Sequence, residues 1–212
     1  MSDTASLEPR GRDTPKSRRT RARILDTAMR LFAEVGVVEA TNPKIAEAAE
    51  LTRGAMLYHF PDRESLISAA AAHVQAAREV LFRQAHAALP RGADAVDEAI
   101  DAYWRLLQTQ PFRAFMELEA AARTDPQVGD AIRPAQAAFD RSGVGGPLLG
   151  FLQAGRDPRF QASRDLARFA LEGLARTGPS YERDARVQAV LKVVKRAAHM
   201  LNRKGDVTDL WD

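Results

Sequence analysis

The side chains that could do chemistry in this sequence gather in one place. Residues 52 to 60 read TRGAMLYHF, with a hydroxyl, an arginine, a tyrosine and a histidine in nine positions. A serine-type mechanism built on Thr52 and His59 would need a base oriented by a carboxylate and an oxyanion hole, and no G-x-S-x-G elbow occurs in the chain. On a helix the two residues would also stand about 10 Å apart along the axis, at about 1.5 Å per residue. The chain has no cysteine, which removes disulfides, thiolate nucleophiles and cysteine-ligated metals. Its histidines, His59, His73, His86 and His199, lack the short spacings that place two ligands on one helical face. Gly143-Val-Gly-Gly has neither a preceding strand nor the lysine of a phosphate-cradling loop. No catalytic residue, metal or cofactor is expected. A helical enzyme stays as a rival reading, which turnover of any candidate ligand would favour.

The same nine residues suit a helix that reads DNA. Thr52 at the helix start can offer its hydroxyl and free backbone amides to a phosphate. Arg53 on the first turn can pair with O6 and N7 of guanine. Gly54 and Ala55 are small enough to let the helix approach base edges, while Met56 and Phe60, four apart, form an inward face. His59 has two readings, packing beside Phe60 with a bond to a carbonyl, or contact with a phosphate.

Such a helix has to be held by others, and the pattern from Thr20 onward is helical almost throughout, with no alternation of polar and β-branched residues. The fold class is all-α. Ile24, Leu25, Ala28, Leu31, Phe32 and Val35 make one apolar stripe that ends at Gly36, a natural C-terminal cap. A short second helix begins near Thr41, Asn42 and Pro43, and turns Ile45, Ala46 and Ala49 inward. Thr52 caps a third helix, and Phe60-Pro61-Asp62 stops it and starts a fourth. Two short helices joined by a tight turn and buttressed by an amphipathic one make a helix-turn-helix. Further helices are expected over 64 to 88, 94 to 109, 112 to 123, 126 to 142, 147 to 154, 162 to 177 and 183 to 203.

Charge is unevenly spread. The chain of 212 residues is 45% hydrophobic and 28% charged, ordinary for a globular protein. Its first 23 residues carry seven basic and three acidic side chains, so the other 189 sum to −1 of the total +3. An arm with Arg18, Arg19 and Arg21 points to an anionic polymer, or else to a solubilising tail. No apolar run of about 18 residues appears, and the start MSDTASLEPRGRD lacks the apolar core of a secretory signal. A cytoplasmic protein is expected.

Arg23-Ile24-Leu25, Leu31-Phe32, Gly36, Thr41, Ile45-Ala46, Ala49 and then LTRGAMLYHFPDRESL resemble, in order and spacing over about residues 20 to 70, the DNA-binding domain of the tetracycline-repressor (TetR) family of bacterial transcription regulators. The resemblance implies phosphate contacts from Thr52, Tyr58, His59 and Arg63. It implies phosphate or base contacts from Lys44, Arg53 and Ala55, with Thr41, Gly54 and the arm in the same DNA-binding surface. The chain departs from the family pattern at two positions. Glu50 stands where many members have glycine, and in a left-handed turn it would cost roughly 1 kcal/mol, so the turn is either strained or of ordinary geometry. Leu57 stands where they have tyrosine; it is expected to fill an apolar gap and leave Tyr58 as the aromatic phosphate contact.

The implied organisation is a flexible basic arm over 1 to 19, a helix-turn-helix domain over 20 to 64, continued by a connecting helix to about 80, and a ligand-binding and dimerisation domain over 65 to 212. The last two helices carry Leu166, Phe169, Ala170 and Gly173, and Val187, Leu191, Val194, Ala198 and Leu201. Either stripe could pack within its own subunit; in TetR-like proteins this pair builds the dimer interface. Tyr103, Trp104, Leu107, Phe112, Phe115, Met116, Phe139, Leu149 and Leu152 supply ordinary core, and the resemblance implies that some line a pocket for an apolar or aromatic effector. Glu119, Glu117, His86 and Arg123 are its candidate polar anchors. The function implied is a homodimeric, effector-released regulator, a repressor by expectation, on a pseudo-palindromic operator. The rival from another class is a helical adaptor whose basic arm meets acidic surfaces.

Overall fold

The computed structural model describes residues 14–90, 95–142, 158–177 and 185–202, and every regular element among them is an α-helix. Helix α1 (Pro15–Glu39) starts where Thr14 accepts the Ser17 amide and Pro15 occupies the first turn, where its missing N–H is not needed. It therefore begins five residues before the Thr20 of the sequence reading and takes Lys16 to Arg19 into its first turns. Gly36 breaks it as expected, with φ of 80° and ψ of 165°, and Val37 to Glu39 form a separate turn.

Helices α2 (Asn42–Ala48) and α3 (Arg53–His59) are the helix-turn-helix pair. Their turn is a Schellman cap: the Leu51 amide donates to Ala46 O at 2.8 Å and the Glu50 amide to Glu47 O at 2.9 Å. That geometry needs a left-handed residue, and Glu50 takes the position with φ of 53°. The turn is thus the strained alternative. Asp62 and Ser65 form a reciprocal capping box at the start of α4 (Arg63–Ala87).

Helix α4 runs through two cores. Ile24, Phe32, Ile45, Met56, Phe60 and Leu66 fill the first, closed from above by Ala114, Phe115 and Leu118 of α6 (Gln110–Ala122) and Val128 and Ile132 of α7 (Pro126–Ser142). Phe82, Tyr103, Leu107, Phe112 and Phe139 build the second with α5 (Ala95–Leu107), α8 (Pro158–Ala175) and α9 (Ala185–Asn202). Each such large side chain removed from water contributes about 1.5–3 kcal/mol. Helix α6 serves both cores and lies along α1, so closely that a Cβ on Gly36 would stand 3.3 Å from Glu117 Oε2. No helix among the described residues is long and apolar enough to cross a membrane. The segment expected as a helix over 147 to 154 lies outside the described residues.

Candidate functional site

Helix α3 turns Met56 into the core along with Phe60, and this fixes what faces out. Arg53, Gly54, Leu57 and Tyr58 share the outer surface, at helical offsets of one, three and four. Gly54 sits in the middle of it, and a Cβ there would meet no atom within 4 Å, so the backbone itself is open to a partner. Ala55 lies at the margin, half-buried. Leu57 is 42% exposed and does not fill an apolar gap; the helical period that buries Met56 and Phe60 carries it outward. Its neighbour Tyr58 is 52% exposed and meets His59 edge-on, with ring centroids 5.1 Å apart. Leu57 joins this surface by its offset of four from Arg53, a spacing legible in the sequence.

Thr52 accepts the Ala55 amide at 3.1 Å as the cap of α3, which leaves its O–H to donate. At the other end of the helix, Arg21 of α1 reaches over the Phe60 ring at 5.1 Å. Partial burial, and then the charge of Arg21, push the His59 imidazole below its ordinary range. Arg18 and Arg19 are exposed on the same first turns of α1. Thr41 is exposed at the start of α2 and makes no capping bond with its side chain. Lys44 pairs with Glu39 at 2.8 Å, which holds that carboxyl below the usual carboxylate range.

Arg63 is placed otherwise than the resemblance implies. Its guanidinium turns inward, donating to Ala40 O at 2.7 Å, Val37 O at 2.5 Å and Asn42 Oδ1 at 3.3 Å. The chain leaves α1 at Gly36 with carbonyls that no helix satisfies, and Arg63 is the nearest multiple donor. It clamps α4 to the α1–α2 junction.

Of the expected pocket residues, Tyr103, Leu107, Phe112 and Phe139 are buried in the second core and Phe115 in the first, Trp104, Met116 and Glu119 are half-buried, and Leu149 and Leu152 lie outside the described residues. The residue that sequence reasoning missed is Arg78. It is only 8% exposed, with its guanidinium carbon 3.8 Å from the Phe115 ring centroid, 4.6 Å from Phe139 and 4.8 Å from Phe112. Nη1 donates to Gln75 Oε1 at 2.6 Å, and Gln75 donates in turn to Gln136 at 2.7 Å. Around it, Glu172 Oε1 accepts from Tyr103 at 2.7 Å and from Arg168 at 2.9 Å, and Glu119 pairs with Arg176 at 3.2 Å. Burial and the Glu172 charge push the Tyr103 phenol up, and burial and the same charge push Glu119 up. The signal was legible: Leu66, Ala70, Val74, Arg78 and Phe82 form one row at intervals of four, with a single charge in it.

The expected dimer stripes divide. Val187, Leu191, Val194 and Ala198 are buried within the subunit, Val187 to 1% exposure, as the seam of α9 on its neighbours. This corrects their assignment to an interface: spacings of four, three and four fit an internal seam as well as an external one. Lys195 to Asp101 at 2.6 Å and His199 to Asp97 at 2.8 Å tie the same helix to α5. Among the described residues, the apolar side chains that face outward are Leu166 and Phe169 of α8, beside exposed Gly173 and half-buried Ala170, and Val193 and Met200 of α9. The Leu201 side chain lies outside the described residues.

Compared with known proteins, residues 24–70 match the sequence model for bacterial regulatory proteins, tetR family. The HTH-type transcriptional regulator AcrR of Shigella flexneri is 45% identical over 53 residues, 25% of this chain and 25% of its own length. The HTH-type transcriptional regulator TtgR of Pseudomonas putida is 34% identical over 115 residues, 53% of this chain and 49% of its own. The matched segments thus span a quarter to a half of these curated relatives. Among solved structures, the multidrug binding protein EbrR complexed with imidazole superposes with a TM-score of 0.58 at 23% identity, over 84% of this chain and 93% of that one. A tetR-family transcriptional regulator from Streptomyces coelicolor gives 0.62 at 18% identity, over 92% and 84%. At such identities these two likenesses concern the fold alone.

Proposed function

We propose, from the match of residues 24–70 to the sequence model for bacterial regulatory proteins, tetR family, that this chain is a cytoplasmic, effector-responsive transcription repressor of that family that binds a pseudo-palindromic DNA operator as a homodimer. The observation that carries this reading is the outer face of α3, where Arg53, Leu57 and Tyr58 surround a glycine with nothing against it. A guanidinium offers two donors to guanine, an apolar side chain suits a thymine methyl, and Gly54 lets the backbone come close to the base edges. Thr52, Tyr58, His59 and Arg21 surround that face as phosphate contacts, with Lys44, Arg18 and Arg19 adding positive charge.

The dimer forms through the outward apolar side chains of α8 and α9, Leu166, Phe169, Val193 and Met200. Effector binding in the second core acts on DNA through α6, because Phe112 of that helix belongs to the second core and Phe115 and Leu118 to the first. A ligand releases the operator only to the extent that it favours the DNA-incompetent arrangement, with couplings of about 1–3 kcal/mol. Arg53→Ala, assayed by fluorescence anisotropy on operator variants, is expected to lose about 1–3 kcal/mol at one base position and relax preference there. Equal weakening on all sequences would assign Arg53 to the backbone instead.

A further inference from the structure

Arg78 is a buried cation whose partners do not balance it. Among the described residues its only hydrogen bond runs from Nη1 to the neutral Gln75, and Nε has no acceptor. The edge formed by Nε and Nη2, the side-on fork that suits a planar carboxylate, is left over. Burial lowers its pKa only to about 10, so it stays charged at neutral pH. The two carboxylates nearby are committed elsewhere, Glu172 to Tyr103 and Arg168, and Glu119 to Arg176. Among the described residues, Arg78, Arg168 and Arg176 stand against Glu119 and Glu172 in this cluster, one positive charge in excess. The Phe112, Phe115 and Phe139 rings, 3.8–4.8 Å from the guanidinium carbon, offset part of its burial by cation–π contact, but none supplies the counter-charge that a buried ion calls for.

We propose that the effector is an organic acid, an aromatic or medium-chain carboxylate whose anionic group pairs with the Nε and Nη2 edge of Arg78 while its apolar part lies among Phe112, Phe115 and Phe139. This rests on the regulator reading for what the binding does, and on the geometry of Arg78 alone for what is bound. A carboxylate there completes the charge balance, and its primary amide does not. The acid also has to move the Phe112 and Phe115 rings of α6 to reach the guanidinium, which places the ligand on the helix shared by the two cores.

The test uses the full chain and two matched pairs of probes, 2-naphthoate with 2-naphthamide and decanoate with decanamide. Binding is read by thermal unfolding and calorimetry, and release of a selected operator by anisotropy. At least one acid is expected to bind at least about tenfold more tightly than its amide and to release the operator. Arg78→Met should fold, because removing a buried unbalanced charge is tolerated; it should keep operator binding and lose the preference for the acid. Arg78→Lys keeps the charge without the fork, is expected to fall between the two, and serves if Arg78→Met fails to fold. Equal binding of acid and amide, no binding of either acid at millimolar concentration, or an unchanged preference in Arg78→Met would overturn the proposal. If no operator can be selected, the regulator reading fails while the acid preference is still decided by calorimetry.

Discussion

Glu50 holds the left-handed position of the helix-turn-helix turn because the amides of Glu50 and Leu51 close on Glu47 and Ala46, and no other residue of that turn can supply the reversal. A side chain there costs about 1–2 kcal/mol that glycine does not incur, partly offset by glycine's greater freedom when unfolded. Glu50→Gly is therefore expected to stabilise the chain by about 1 kcal/mol, seen as a raised Tm, and an unchanged or lowered Tm would show that Glu50 is favourably engaged. His59 offers a different readout. Its imidazole is held below the ordinary range by burial and by Arg21, so it is mostly neutral in the free protein at neutral pH. A phosphate beside it favours the charged form, so operator affinity should rise as pH falls through the imidazole range and do so much less in His59→Gln. For the free protein the sign reverses: a folded-state value below the unfolded one means that stability is lost as pH falls through the imidazole range. The departures at Glu50 and Leu57 are visible in the sequence, and the helical period around Met56 and Phe60 carries the outward direction of Leu57, whereas the left-handed turn at Glu50 is one of two alternatives the sequence leaves open. Backbone φ at Glu50 is set by the cap it closes, which forms only when α2 and α3 are both in place.

At the scale of elements, the chain's breaks were legible where their chemistry is local. Gly36, Thr52 and Asp62 each end or start a helix with a cap drawn from adjacent residues. Thr14 and Pro15 cap α1 by the same chemistry but sit inside a basic run that reads as an arm, so the cap is masked by the charge around it. The two faces of α9 were not separable, since the buried row from Val187 to Ala198 and the exposed pair Val193 and Met200 both obey the helical period; only packing on α5 and α8 decides between them. Arg63 was ambiguous for a related reason, because a long side chain on a first turn can swing out to DNA or in to a carbonyl. Its three acceptors on Val37, Ala40 and Asn42 make it a fastening between elements. Arg63→Met should destabilise the protein by about 1–3 kcal/mol in urea unfolding, through carbonyls left without a donor. Loss of operator affinity with unchanged stability would instead return Arg63 to the DNA surface.

Across the whole molecule, two cores meet on α4 and α6, and positive charge gathers on the α1 end of the first while the second encloses Arg78. In the proposed reading, that arrangement would let a ligand and a DNA contact, each at its own end, bias the same pair of helices. The central claim is that two copies of α3, related by a two-fold axis, read DNA. Selection of bound duplexes from a random pool by the full chain tests it most directly. The expected product is an inverted repeat with half-site centres about 34 Å apart, or a multiple of it, and with guanine recurring at one position that Arg53→Ala no longer enriches. Recovery of no common sequence, or of a single unrepeated site, would contradict it.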